Sequence, residues 1–206
     1  MLKIWGRNSS MNVQKVLWVC AELDIPFERI DLGGPFGGND KPEYLVLNPS
    51  GRVPTIEDGK TILWESNTII RYLCTTRGGA QLYPVDPVHR AQVERWMDWQ
   101  LSMINNSMAA LIFGYYRTPP ERRDLAALEA ARLEAVHCWR IIDGYLAGRT
   151  YLECDRLTLA DIPVGIWAYR WYMYPIERPE LPNLRAWYER LAERPAYKAH
   201  IAIPIS

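Results

Sequence analysis

Residues 48–73 read NPSGRVPTIEDGKTILWESNTIIRYL, and the succession of local signals in this stretch decides the fold. Thr55 and Ile56 start an extended run after Val53-Pro54, and Asp58-Gly59 ends it with a dipeptide suited to a type I′ hairpin turn. Thr61–Trp64 supply a second extended run. Glu65-Ser66 then precede Ile69, Ile70, Leu73 and Cys74, whose spacing marks one face of a helix. Ser66 therefore falls at a helix N-terminus, where free backbone N–H groups and the helix dipole favour an anion. Proline at the strand entrance removes a ladder donor, so the neighbourhood of Val53 is left open to something other than the sheet.

Upstream, Leu2–Trp5 reads as a first strand and residues 6–10 as a polar loop. Val13, Val16, Leu17 and Cys20 recur at i, i+3, i+4 and i+7, which predicts a helix over 12–23. Asp24-Ile25-Pro26 breaks it, and 27–32 form a second strand, giving a βαβ unit of the parallel kind. Residues 33–38 hold four glycines but lack the Lys-Ser/Thr ending of a phosphate loop. A short helix near 42–46 leads into the central stretch. The sum, βαβ followed by αββα, predicts a thioredoxin-like domain over 1–77.

Residues 77–87, RGGAQLYPVDP, are rich in breakers, so 78–87 read as a linker. Beyond it only helical spacing appears. Met97, Leu101, Ile104, Met108 and Leu111 or Ile112 trace a long helix that Thr118-Pro119-Pro120 ends. Leu128, Ala131, Ala135, Cys138 and Ile142 trace another, and Leu184, Trp187, Tyr188 and Leu191 a later one. The expected fold class is thus α/β plus all-α, with a helical domain over 88–206. Thr158 and Asp161 have capping-box spacing, with Leu157 and Ile162 as the hydrophobic staple, and Asp161 reads as structural rather than as a catalytic acid.

These pieces together resemble the cytosolic glutathione transferases, most closely bacterial members related to the theta, delta and nu-like classes. The likeness covers the start GRNSSMNVQKV, the Val-Pro step, the Glu-Ser pair and the late LTLAD. It implies a detoxification enzyme that activates the glutathione thiolate for attack on small electrophiles, halogenated or carboxylate-bearing compounds among them. It further implies a homodimer and a cis bond at Val53-Pro54, with Val53 holding the cysteinyl backbone of the tripeptide. Glu65 would accept the γ-glutamyl ammonium, and Ser66 would hold its carboxylate. Asn39 or Lys41 would meet the glycyl carboxylate. Gly51 stands where delta-like members carry a histidine.

The chemical requirement is a thiolate. A thiol with a pKa near ~8.5 is only a few per cent ionised at neutral pH, and a hydroxyl donor backed by a helix N-terminus stabilises the charged form. In the loop 7–12 the register of the family points to Ser10 as that donor, with Ser9 one residue away and Asn12 as a second donor. Capping of the first helix is the competing role for Ser9 or Ser10. Arg7 would add positive potential or lie on the surface. For the second substrate, Tyr115, Tyr116 and Arg117 are the pocket candidates. The aromatic run Trp167, Tyr169, Trp171, Tyr172 and Tyr174 is more naturally core.

Composition sets the remaining bounds. At 206 residues the chain is long enough for one or two domains with a real core. Its 24 Lys and Arg balance 24 Asp and Glu, which leaves no field to gather nucleic acid or an anionic membrane. Cys20, Cys74, Cys138 and Cys154 show neither CxxC nor metal-ligand spacing, so no metal is expected and Cys20 and Cys74 read as buried thiols. His89, His137 and His200 read as structural or solvated. No signal peptide or membrane-spanning run is evident, so a cytoplasmic protein is expected. Two alternatives stand beside conjugation: glutathione-dependent disulfide or peroxide reduction, and a non-catalytic regulator of the same fold.

Overall fold

The computed structural model describes residues 1–205. Contacts group the chain into two units, one of residues 1–83 with 195–203 and one beginning at Pro84 and running to Arg194. In the first unit β1 (Leu2–Trp5) leads to α1 (Met11–Glu22) and β2 (Phe27–Ile30). The short α2 (Pro42–Leu45) follows, then β3 (Thr55–Asp58), β4 (Thr61–Trp64) and α3 (Ser66–Thr76). The sheet runs β2-β1-β3-β4, with β1 and β2 parallel and the other pairs antiparallel.

The apolar face expected for α1 is buried at Val13, Val16, Leu17 and Cys20, and Ile69, Ile70, Leu73 and Cys74 do the same on α3. These two stripes pack against each other. Burial pushes the Cys20 and Cys74 thiols up to about 12, so both are inert packing groups. The hairpin differs from the type I′ expectation. Asp58 pairs with Thr61, which leaves Gly59 and Lys60 as the loop. Among the non-glycine residues with positive φ Lys60 is absent, while Gly59 has φ +62°, and one positive φ at the first loop residue is the type II′ requirement.

The second unit is helical: α4 (Pro87–Trp99), α5 (Asn105–Ile112), α6 (Leu125–Tyr145), α7 (Asp161–Met173) and α8 (Pro182–Ala192). Two five-residue π segments, Gln100–Ile104 and Phe113–Arg117, flank α5. The predicted stripe holds except at one position. Met97, Ile104, Met108 and Leu111 are fully buried, but Leu101 is 46% exposed and Gln100 takes its place inside. Both positions are compatible with helical spacing from Met97, one at i+3 and the other at i+4. The second π segment carries Gly114, where an added Cβ would lie 2.2 Å from Leu128 Cδ2. Only glycine allows that segment to approach α6 so closely.

α7 runs through the core of this unit, with Trp167 and Trp171 each 1% exposed. Its start carries the capping box. Asp161 accepts from Thr158 N and Thr158 Oγ1 through Oδ2, and the Thr158 hydroxyl oxygen in turn accepts from Ala160 N. Asp161 is structural here, as its spacing implied. The last helix, α9 (Pro195–His200), belongs to the first unit, although the sequence reading drew 88–206 as one helical domain. Tyr197 meets Trp18 of α1 edge to face at 4.9 Å, and the His200 ring lies by Phe27.

Candidate functional site

Three segments of the first unit converge. The loop after β1 opens α1, and Ser10 stands at the N-cap position with extended backbone. Its carbonyl accepts from Gln14 N, yet its side chain makes no capping bond. The capping role weighed for Ser10 is therefore not the one its hydroxyl plays. The residue is buried, at 9% exposure. Asn12, in the first turn of α1, is exposed and accepts a hydrogen bond from Ser66 Oγ at 3.3 Å. That bond ties the first turn of α1 to the first turn of α3.

Gly6 brings the second segment in. It has φ +148°, and a Cβ there would lie 2.5 Å from Val13 Cγ2 and 3.1 Å from Val53 Cβ. The absence of a side chain lets Val13 of α1 and Val53 both close on this residue. The Val53-Pro54 bond is cis. Pairing of β3 with β1 begins at Thr55 opposite Trp5, so Val53 stands beyond the ladder. The turn before it is buttressed by a buried polar cluster. Tyr44 OH donates to Arg52 O and bonds Thr55 Oγ1, and Asn48 Nδ2 donates to the same two oxygens. Ser50 N and Oγ both donate to Asn48 Oδ1. Every member of the cluster has partners, which is the condition under which buried polar groups rigidify a site.

The third segment is the start of α3. Glu65 occupies the N-cap position at φ +71°, a left-handed backbone that non-glycine residues adopt at a cost of about 1–3 kcal/mol. Its side chain is exposed and makes no capping bond to α3. Ser66 and Asn67 are each 5% exposed. Lys15 of α1, 2% exposed, donates from Nζ to Asn67 Oδ1 at 3.1 Å. Desolvation lowers the Lys15 pKa to about 7, against the opposing pull of the Glu65 carboxylate and with help from Arg71.

The other predicted residues fall as follows. Arg7 lies along the glycine-rich loop, where a Cβ on Gly34 would meet its Cδ and Nε at 2.9 Å. Asn39 donates from Nδ2 to Gly51 O at 2.8 Å, and Lys41 is exposed. Gly51 has φ +61°, with Asn39 O 3.0 Å from where its Cβ would stand, so this backbone would strain a histidine there. In the second unit Tyr116 OH donates to Met173 O at 3.0 Å, and the Arg117 guanidinium lies 4.6 Å from the centre of the Phe113 ring. Arg123 donates to Tyr115 O. Sequence reasoning missed Lys15 and Asn67, since a lysine inside a helix is ordinarily solvated. It also missed the Tyr44–Asn48–Thr55 cluster, for which the only signal was Asn48 in NPSG.

A four-stranded mixed sheet in the order β2-β1-β3-β4, with α1 and α3 packed together beside it, is a thioredoxin-like unit. The glutathione S-transferase N-terminal domain matches residues 9–76, and the glutathione S-transferase C-terminal domain matches 104–195. The chain belongs to the glutathione S-transferase family.

Among its relatives, glutathione S-transferase GstB of Escherichia coli (strain K12) is 38% identical over 208 positions, covering 100% of both chains. Glutathione S-transferase 3 of Zea mays is 29% identical, over 99% of this chain and 95% of that protein. Among solved structures, the theta class glutathione S-transferase of Xanthomonas axonopodis pv. citri with glutathione bound is 45% identical. It superposes with a TM-score of 0.96 over 100% of this chain and 99% of the other. Relatives named as transferases favour conjugation over the reductase and regulator alternatives.

Proposed function

We propose that this enzyme is a glutathione transferase in which the tripeptide lies along the backbone at Val53, just beyond the β3 ladder, its γ-glutamyl head at the start of α3 and its sulfur at the start of α1. The observation that carries the reading is the Ser66–Asn12 bond of 3.3 Å, which draws the two helix starts together beside Val53. The relative from Xanthomonas axonopodis pv. citri, with glutathione bound, supports it.

In this reading Glu65 accepts the γ-glutamyl ammonium, and Ser66 with the first N–H groups of α3 holds the carboxylate. Val53 pairs with the cysteinyl backbone, and Asn39 or Lys41 meets the glycyl end. Ser10 donates its hydroxyl hydrogen to the sulfur, with Asn12 as a nearby second donor and Arg7 adding positive potential. The thiol proton leaves to solvent, the thiolate forms a C–S bond to the electrophilic carbon, and the leaving group departs with its electron pair. Stabilising the thiolate by about two pKa units supplies roughly 2.7 kcal/mol. Tyr115, Tyr116 and Arg117 are assigned to the second substrate. We assign the enzyme to the cytoplasm and to a homodimer, as the family resemblance implies; exposed apolar side chains at Ile62 and Trp64 of β4 suit a partner surface.

Retention on immobilised glutathione, followed by turnover of a chloronitrobenzene, a haloacetate and hydroxyethyl disulfide by wild type and Ser10→Ala, tests this. Turnover of a halide substrate that falls sharply in Ser10→Ala is expected. Binding without turnover of any of the three would overturn it.

A further inference from the structure

The buried amine of Lys15 is not used by the chemistry above, and its position calls for a role. A lysine that served only to fill space between α1 and α3 would cost stability for nothing, because an apolar side chain packs there without losing hydration. Its Nζ bonds Asn67 Oδ1 at 3.1 Å, and Asn67 directly follows Ser66 in the turn whose N–H groups face the proposed carboxylate subsite. The charges acting on it are Glu65 at the start of α3 and Arg71 further along the same helix. The other helix packed on α1, α9, brings Lys198 and His200, and the His200 ring lies by Phe27.

We propose that Lys15 is a proton-linked positioning residue: it takes up a proton as glutathione binds, and its charge then strengthens the hold of the Ser66–Asn67 turn on the γ-glutamyl carboxylate. The inference rests on glutathione occupying this site. With desolvation holding the amine near 7, it is partly neutral in the free protein at physiological pH. The γ-glutamyl carboxylate at the Ser66–Asn67 turn is the ligand charge that adjoins the Lys15–Asn67 bond, and it favours the charged amine. By linkage, affinity is then greatest at pH below the free-protein value and declines as the pH rises through it, by about tenfold for each unit that binding raises the pKa.

The test is calorimetric titration of S-methylglutathione, which has no thiol proton to release, between pH 5.5 and 8.0. Wild type and Lys15→Met are compared in two buffers of different ionisation enthalpy. The ligand's own amine titrates identically against both proteins, so their difference isolates Lys15. The expected result is a Kd that weakens three- to tenfold more in wild type than in the variant, with net proton uptake near pH 7 in wild type alone. Carbon-13 resonances of the lysine side chains in wild type, free and saturated, give the same answer without a variant, as an upward move of the Lys15 midpoint. Saturable binding with matching pH profiles and an unmoved midpoint would overturn the role of Lys15 alone. No binding of S-methylglutathione at any pH would overturn the site assignment, and the inference with it.

Discussion

Trp187 of α8 donates its indole N–H to Asp161 Oδ1 at 2.9 Å, and both side chains are buried, at 1% and 0% exposure. The same carboxylate oxygen accepts from Leu152 N. One side chain thus closes the start of α7, fixes the preceding loop and anchors α8. Asp161→Ala strands several buried donors at once and is expected to cost about 3–5 kcal/mol. Trp187→Phe removes one donor and is expected to cost about 1–2 kcal/mol. Urea unfolding of both single variants and the double checks this, with a coupling term between the two sites as the signature. Additive losses would mean the bond is incidental.

Glu65 holds a strained backbone, with φ +71°. Glu65→Gly and Glu65→Ala both remove the carboxylate, so both are expected to raise the KM for glutathione. They differ in strain: glycine adopts this φ freely, so Glu65→Gly is expected to be more stable than Glu65→Ala by about 1–2 kcal/mol. Equal denaturation midpoints would show that the strain is not held at this residue.

Lys15 makes stability depend on pH. Its pKa falls from 10.5 in the open chain to about 7 in the fold. Between those values the unfolded chain binds the proton and the folded one does not, so stability rises with pH from about 7 to 10.5. Below that window both states are protonated, and the fold bears the whole burden of a buried charge. Lys15→Met is expected to be more stable than wild type at pH 6–7 by a few kcal/mol at most, and to lose that advantage by pH 10. Chemical denaturation across this range measures it, and a constant gap would contradict it.

Gly6→Ala would place a Cβ 2.5 Å from Val13 Cγ2 and 3.1 Å from Val53 Cβ. Relief requires the Val13 side chain to shift and Val53 to give way with it. A stability loss of about 1–3 kcal/mol is expected, together with weaker glutathione binding. Weakened binding at unchanged stability, or the reverse, would separate the two effects and contradict the packing account.

The fold was legible where local and long-range signals agree. The α1 and α3 stripes, the hairpin strands and the capping box all follow from period, breakers and caps. What escaped has physical causes. Helical spacing from Met97 allows either Gln100 or Leu101 to face inward; hydrophobicity favours Leu101, yet the structure buries Gln100. The hairpin loop shifted by one residue because Asp58 pairs with Thr61. At the site, periodicity and the proline place Ser66 at a helix start and Val53 outside the ladder, whereas the ligand roles of Val53, Pro54, Glu65 and Ser66 come from the family resemblance. The structure adds that Ser10 makes no capping bond and that Ser66 reaches Asn12. Lys15, Tyr44, Asn48 and Thr55 were hidden because sequence does not say which polar side chains will be enclosed together.

The packing of Tyr197 on Trp18 joins the last helix to the first unit. During synthesis residues 1–83 leave the ribosome first but lack this cover until Tyr197 has been added. The nascent chain must hold an incomplete core in the meantime, with a tryptophan face unprotected. Premature termination anywhere before Pro195 would therefore damage the glutathione-binding half as well as the helical one.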